Sequence, residues 1–471
     1  MTTTSLALES RHHDALRAAL LRPDGEERAA YLLCGEAAVG ADPWDRRAHR
    51  QFVVREVLPV PEAEVLSASG RHVTWSTQSF VRALRRAELE GLQVALVHAH
   101  PGGPAAFSDV DDANEPDLLE LAQHRNGPGA VLPSLILTGD GTLTGRVWWS
   151  RTSATPMRLV RQVGARWRVW YAGRGDGRSS PQWDRQALAF GPAFTDDLRR
   201  LRVGVVGCGG TGSAVAMLLA RLGVGQLILF DEDVVEATNL NRLHGATQAD
   251  ADALRPKVEV IAREVSRLGL GVRVVPVRAW VGDPAARDAL KACDVVFGCT
   301  DDHDGRLLLN RFAYCYLTPV IDVGLAIEVS RGTPPTVLAL DGRVTVLEPG
   351  SPCLLCRQVV SGERARAEAL RRTNPTEYER QKREAYVAGE GNPAPAVVTF
   401  TTEVAAMGVE ELMQRLQGFR GADGSCANRV RKFGQMEDRR VGAAANPTCP
   451  VCGARDLWGR GDIEPFLDRV G

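Results

Sequence analysis

"LRVGVVGCGGTGSAVAMLLARLGVGQLILFDED", residues 201–233, decides the fold of this chain. Residues 202–206 read as a buried strand, and Gly207, Gly209, Gly210 and Gly212 then crowd into a tight turn. An apolar helix is predicted from there to about Leu222, and "QLILF" supplies a second strand ending at Asp231. This is a βαβ unit whose glycines let the backbone approach a phosphate at a helix N-terminus. An acid 24 residues beyond Gly207 stands where a ribose hydroxyl would be held. Taken alone, the unit would suggest NAD or FAD.

The residues that follow argue for another nucleotide. "DEDVVEATNLNRLHGATQADADALRPKVEV" carries Asp231, Asn239, Arg242 and Lys257. "CDVVFGCTDDHDGRLLLN" places Asp301 directly after a strand, and "WDRQALAFG" upstream carries Arg185. Together and in this order these elements resemble the ThiF/MoeB/HesA family, which shares the fold of the ubiquitin-activating enzymes. The resemblance covers roughly residues 183–471. It implies a Rossmann-like ATP-binding domain that adenylates the C-terminus of a ubiquitin-like or sulfur-carrier β-grasp protein. It also implies roles for Arg185, Arg242 and Lys257 at the ATP phosphates, Asn239 as their hydrogen-bond partner, and Asp301 as the magnesium carboxylate. In homodimeric relatives the arginine matched by Arg185 reaches across to the other subunit, so a homodimer is expected. Nicotinamide chemistry is disfavoured by Arg242, Lys257 and Asp301, which suit a polyphosphate in which negative charge develops.

"SPCLLCRQ" and "PTCPVCGARD" contribute Cys353, Cys356, Cys449 and Cys452. Two Cys-x-x-Cys pairs are the signature of a closed tetrahedral structural zinc. Ubiquitin-activating enzymes carry a thioester cysteine after the first such pair, but residues 357–400 contain none. Cys426, in the glycine-rich "GADGSCANR", is the substitute candidate because its setting suggests an exposed loop. Cys208, Cys293, Cys299 and Cys315 sit in apolar or motif segments and are expected to be buried.

The N-terminal third holds a second chemistry. "VALVHAHPGGPAAFSDVDD", residues 94–112, breaks an apolar strand with His98 and His100, then turns through proline and glycine to an aspartate cluster. Residues two apart on a strand share a face, so both imidazoles project together. Two imidazoles and one carboxylate, for which Asp111 is the natural choice, suit a catalytic zinc that keeps a position for water. The string His-x-His, seven residues, Ser-x-x-Asp resembles the JAB/MPN (JAMM) metallopeptidases. That resemblance implies a zinc hydrolase of peptide or isopeptide bonds, with Ser108 assisting the oxyanion and an upstream glutamate as general base. In "GEERAAYLLCGEAAVG" Glu27 is the preferred base, with Glu26 and Glu36 open alternatives.

Length and composition fit this division. The chain has 471 residues, 44% apolar and 24% charged, with a formal charge of −1. That is room for two or three globular domains and offers no global electrostatic reason to bind nucleic acid. No apolar stretch is long enough to span a membrane and no secretory leader is evident, so a cytoplasmic protein is expected. The expected architecture is α/β throughout: a JAB/MPN domain over 1–165, a linker over 166–184 that takes in the Gly/Ser/Arg/Pro-rich "YAGRGDGRSSPQWD" of residues 171–184, and an adenylating domain over 185–471. Residues 146–174 carry seven arginines and no acid among four tryptophans. They are expected to close the first domain or face an acidic protein rather than bind nucleic acid.

The functional expectation is a bacterial-type fusion in a ubiquitin-like conjugation system, requiring ATP, magnesium and two zincs, with a conjugating enzyme as a further partner. The rival is sulfur-carrier trimming and adenylation leading to a thiocarboxylate. A reading of another class makes the first domain a metal-free MPN scaffold.

Overall fold

The computed structural model describes residues 2–173, 181–383 and 395–468. Two sheets organise them. The first has nine strands, in the order Arg168–Tyr171, Leu159–Val163, Thr3–Glu9, His49–Pro59, Ala29–Val39, Gln93–His100, Leu132–Thr138, Leu143–Ser150 and Ser153–Pro156. The helices Ser10–Leu20, Gln78–Glu90 and Asp109–Asn126 pack with these strands.

The second sheet has eight strands, in the order Arg273–Val277, Gln226–Phe230, Arg202–Val206, Val295–Gly298, Val320–Val329, Val337–Leu347, Asn428–Lys432 and Glu437–Arg440. Its first five strands are parallel and the remaining pairings are antiparallel. "RVGVV" is buried at every position, as a parallel strand covered by helices on both faces should be. The glycine turn leads into helix Gly210–Leu222 as the sequence predicts. At Gly212 a side chain is excluded, because a Cβ there would lie 1.8 Å from the Gly207 carbonyl oxygen. Helix and strand can therefore meet closely enough to shape the turn.

The two sheets share a core. Ala7, Val53, Val163 and Trp167 cluster with Leu198, Leu219 and Val346 of the second sheet's layers. Around this apolar contact lies a seam of buried ion pairs. Arg202 meets Asp42 at 2.5 Å, Arg158 meets Asp294 at 2.7 Å, and Arg161 reaches both Asp294 and the Thr318 hydroxyl. Burial of such charges is costly unless they are paired and hydrogen-bonded.

These contacts revise two expectations. The arginine-rich segment closes the first domain, but Arg158, Arg161 and Arg166 of it are spent on the second half of the same chain rather than on an external acidic partner. The linker expected from residue 166 also starts too early. Trp167 is buried with its indole donating to Glu348 at 2.9 Å, and Arg168–Tyr171 still pairs with the first sheet. This four-residue edge strand directly precedes a glycine-rich stretch that reads as a loop in sequence. Residues 174–180 of the expected linker lie outside the described residues.

Beyond the second Cys pair the chain crosses back to the first sheet. Gly461 bridges Glu36, Asp462 N donates to the Glu36 carbonyl at 2.7 Å, and the Asp462 carboxylate accepts from Ala38 N at 2.7 Å. Gly35 makes this approach possible, since a Cβ there would stand 2.3 Å from the carbonyl oxygens of Gly459 and Arg460.

Candidate active sites

The first candidate site sits at the C-terminal end of strand Gln93–His100. His98 pairs in register with Ala29, and both histidines are buried. The helix Asp109–Asn126 begins in front of them, with Ser108 as its N-cap and Asp111 as the reciprocal partner in a capping box. Asp111 Oδ2 accepts from Ser108 N at 2.7 Å and from the Ser108 hydroxyl at 2.8 Å. This leaves Oδ1 aimed at His98 Nε2, 3.3 Å away, while His98 Nε2 and His100 Nε2 are 3.1 Å apart. A helix-start motif thus orients a carboxylate toward two imidazoles.

The donor set fits zinc. Tetrahedral ligation at bond lengths of 2.0–2.2 Å needs donor atoms roughly 3.3 Å apart. The Pro104 carbonyl lies 2.9 Å from His100 Nδ1, which places the proton there and leaves the Nε2 lone pair for a metal.

Glu27 is buried beside the cluster, its carboxylate 3.9 Å from His100 Nε2. Burial raises its proton affinity, and the neighbouring histidines oppose that shift. Of the three glutamates considered, only Glu27 approaches the histidines. Glu26 lies 3.7 Å from Arg28, and Glu36 is clasped by Arg50 near the opposite end of its strand.

The second candidate site is a cleft of about 550 Å³ at the C-terminal edge of the parallel strands. Gly207, Gly209 and Gly210 line it, with Asp231, Asn239, Arg242, Lys257 and Asp301. Gly212 lies one helical position behind that rim and is buried. Asp231 is fixed by the backbone N–H groups of Cys208 at 2.6 Å and Asp233 at 2.9 Å. Lys257 forms a 2.7 Å ion pair with Asp233. Burial opposes the charge of Lys257, but Asp231 and Asp233 outweigh it and hold the ammonium's pKa above its ordinary value.

Arg185 is not brought to this cleft. Its helix, Asp184–Phe190, follows Trp183, which packs under Gly223, and Gln186 donates to the Leu222 carbonyl. Those contacts are at the C-terminal end of helix Gly210–Leu222, whereas the cleft is at its N-terminal end, about 18 Å away along the axis. The expectation that Arg185 serves the phosphates is therefore unmet within a single chain.

Sequence reasoning also missed residues in this cleft. Trp280, Arg306, Glu368, Arg371 and Arg372 line it as well. Arg372, on helix Gly362–Thr373, lies 3.6 Å over the Trp280 ring and pairs with Asp304 at 2.7 Å. For Arg371 and Arg372 the signal lies in the run of arginines after the first Cys pair.

Cys353, Cys356, Cys449 and Cys452 converge, with all four sulfurs within 4.8 Å of one another. The 3.6 Å Cys353–Cys449 and 3.5 Å Cys356–Cys452 separations suit a tetrahedron with Zn–S bonds of about 2.3 Å. Cys426 corrects an expectation. It is buried, its thiol donates to the Asn428 carbonyl at 3.1 Å, and burial pushes its pKa up. Cys208, Cys293 and Cys315 are buried as expected and Cys299 is half-buried; none of the ten cysteines is exposed.

The chain thus couples a nucleotide-binding parallel-sheet domain to an α/β domain with a histidine–aspartate cluster. The ThiF family model matches residues 183–451, and that of the prokaryotic homologs of the JAB domain matches residues 9–151. The chain belongs to the ThiF family and carries a JAB domain at its N-terminus. It is 34% identical over 190 residues to the molybdopterin-synthase adenylyltransferase of Salmonella typhimurium, covering 39% of this chain and 70% of that protein. It is 34% identical over 166 residues to the SAMP-activating enzyme E1 of Haloferax volcanii, covering 35% of this chain and 56% of the relative. Among solved structures, E. coli MccB with ATP aligns at 20% identity and a TM-score of 0.43, over 59% of this chain and 76% of that one. Among the described residues no helix is long and apolar enough to cross a membrane.

Proposed function

We propose that the second domain uses ATP to adenylate the C-terminal carboxylate of a ubiquitin-like or sulfur-carrier β-grasp protein. We propose further that the first domain hydrolyses a peptide or isopeptide bond at the same kind of tail. The observation that carries the first half is the convergence of the glycine turn, Asp231, Arg242, Lys257 and Asp301 on one cleft in a chain of the ThiF family.

Adenylation joins a tail carboxylate oxygen to the α-phosphorus and releases pyrophosphate, so negative charge moves outward along the phosphates. Backbone N–H groups at the start of helix Gly210–Leu222 would receive phosphate oxygens. Arg242 and Lys257 would offset the developing charge, Asn239 would hydrogen-bond the phosphates, and Asp301 would hold magnesium. Asp231 would hydrogen-bond the ribose hydroxyls. Arg185 would have to come from a second copy of the chain, which makes a homodimer part of the proposal.

In the first domain His98, His100 and Asp111 would hold a zinc whose chemistry is to make water a nucleophile near neutral pH. Glu27, whose carboxylate lies 3.9 Å from His100 Nε2, would take the proton and pass it to the leaving amine. Ser108 orients Asp111, and its exposed hydroxyl can turn toward an oxyanion. The four cysteines would hold a structural zinc. With no exposed cysteine in the chain, the adenylate would pass to a thiol or sulfur donor on another protein. A conjugating enzyme gives the conjugation reading and a sulfurtransferase gives the thiocarboxylate reading.

The test is incubation of the zinc-loaded chain with a candidate β-grasp protein, ATP and magnesium, followed by intact mass and partner-dependent ATP–pyrophosphate exchange. No exchange with any tail-bearing partner would remove the adenylation reading. An intact tail extension after incubation, with zinc bound, would leave the first domain as a scaffold.

A further inference from the structure

The two candidate sites face away from each other across the seam. In the second sheet the N-terminal ends of the parallel strands meet the first domain. Arg202 pairs with Asp42, Arg273 donates to the Trp44 carbonyl at 2.7 Å, Asp294 pairs with Arg158, and Thr318 accepts from Arg161. The opposite, C-terminal edge carries Gly207, Asp231 and Asp301. In the first sheet the seam is met by Gly40 and Ala41, whose N–H groups donate to Asp288, and by Gln51, which donates to the Tyr316 carbonyl. His98 lies level with Ala29, at the other end of the 11-residue strand Ala29–Val39.

Distances along the chain follow from strand geometry. The strand Ala29–Val39 puts the histidine cluster about 33 Å from the contacts of Gly40 and Asp42 with the second half, and about 23 Å from the Gly461–Glu36 bridge, while Arg202–Val206 spans about 13 Å between the Asp42 contact and the cleft. A flexible tail of six residues spans at most ~21 Å. A hinge could close such a gap, but this seam does not have the character of one. It combines a shared apolar core, buried ion pairs and the Gly461–Glu36 bridge. Interfaces of that kind hold domains in one arrangement.

Resting on the function proposed above, we infer that each site of a chain engages its own β-grasp body, and that a tail cut at the histidine–aspartate cluster is released to solution before it is activated. Hydrolysis adds water across the scissile bond, giving a tail carboxylate and a free amine. That carboxylate is the nucleophile adenylation consumes, so the product of one site is the substrate of the other, delivered by diffusion.

The test uses the full chain and the β-grasp protein that supports ATP–pyrophosphate exchange, with and without a C-terminal extension. Native mass spectrometry of the zinc-loaded Glu27→Gln chain, saturated with extended protein, mature protein and a non-hydrolysable ATP analogue, is expected to show two bodies per chain. Filling the cleft is expected to change the anisotropy-measured affinity for labelled extended protein by less than twofold. In the wild-type chain, a tenfold excess of unlabelled mature protein, added with labelled extended protein, is expected to dilute the labelled adenylate in proportion. One body per chain, a tenfold weakening when the cleft is filled, or labelled adenylate protected from dilution would each overturn the inference. Failure of exchange or of tail cleavage, measured separately on wild type, would instead remove the functional reading and the inference with it.

Discussion

The histidine–aspartate cluster and the adenylation cleft treat charge in opposite ways. The first gathers its three donors within 4.8 Å of one another, with His98 Nε2 3.1 Å from His100 Nε2 and 3.3 Å from the Asp111 carboxylate. The second pairs three of its cations with carboxylates, Lys257 with Asp233, Arg372 with Asp304 and Arg306 with Asp322, while Arg242 donates to the Thr238 carbonyl and the Asn241 amide oxygen. A metal site must be held ready, because its ligands have no other way to converge. A polyanion site can hold its cations on provisional partners, carboxylates or neutral oxygens, which phosphates replace when they arrive.

This contrast can be broken most sharply at Glu27. Glu27→Gln is expected to retain zinc, measured by elemental analysis, while tail cleavage falls by about 10²–10⁴-fold. His98→Ala should lose both metal and cleavage, and unchanged zinc content there would contradict the ligand assignment. In the cleft, Arg242→Ala or Lys257→Ala is expected to lower partner-dependent pyrophosphate exchange on the order of 10²–10³-fold with tail cleavage intact. Equal loss of both activities would show that the regions are not independent.

The seam sets the limit of that independence. Asp42 is fully buried against Arg202, and Asp42→Ala would leave an uncompensated guanidinium at a cost of about 3–5 kcal/mol, readable by chemical denaturation. Both activities should then fall together. A smaller effect is expected at His49, buried between the Thr3 and Ser5 hydroxyls. Burial, aided by Arg158, Arg202 and Arg161 against Asp294, lowers its pKa from 6.5 to about 3. The folded state therefore binds fewer protons than the unfolded one. This contribution is complete above about pH 6.5 and drains away as pH falls toward 3. His49→Gln should flatten the acid-side loss of Tm between those limits, and an unchanged slope would assign it to other groups.

The sequence made the two local constructions legible. Strand, glycine turn, helix and strand over 202–230 follow from a change in hydrophobic period, and His98, His100, Ser108 and Asp111 lie within one short stretch. What stayed hidden depends on partners distant in sequence. Asp42, Arg158, Arg202 and Asp294 each look like solvated surface charges, because charge type alone does not reveal a partner 136 or 160 residues away. Cys426 misled for the same reason. Its glycine-rich flank suggests an open loop, but Arg415 from the preceding helix donates to its carbonyl, and Ala427 beside it joins the strand Val337–Leu347. Arg372 needed the fold to carry its helix across the cleft.

The pairing of Ala38 with Asp462 spans 424 residues, so the face of the first domain around Gly35 and Glu36 is covered only when the end of the described chain has been made. At about 5–20 residues per second, synthesis leaves that face open for roughly 20 to 85 s. For that interval the first domain presents an unpaired sheet surface, and the segment carrying Cys449 and Cys452 is the piece that ends its exposure.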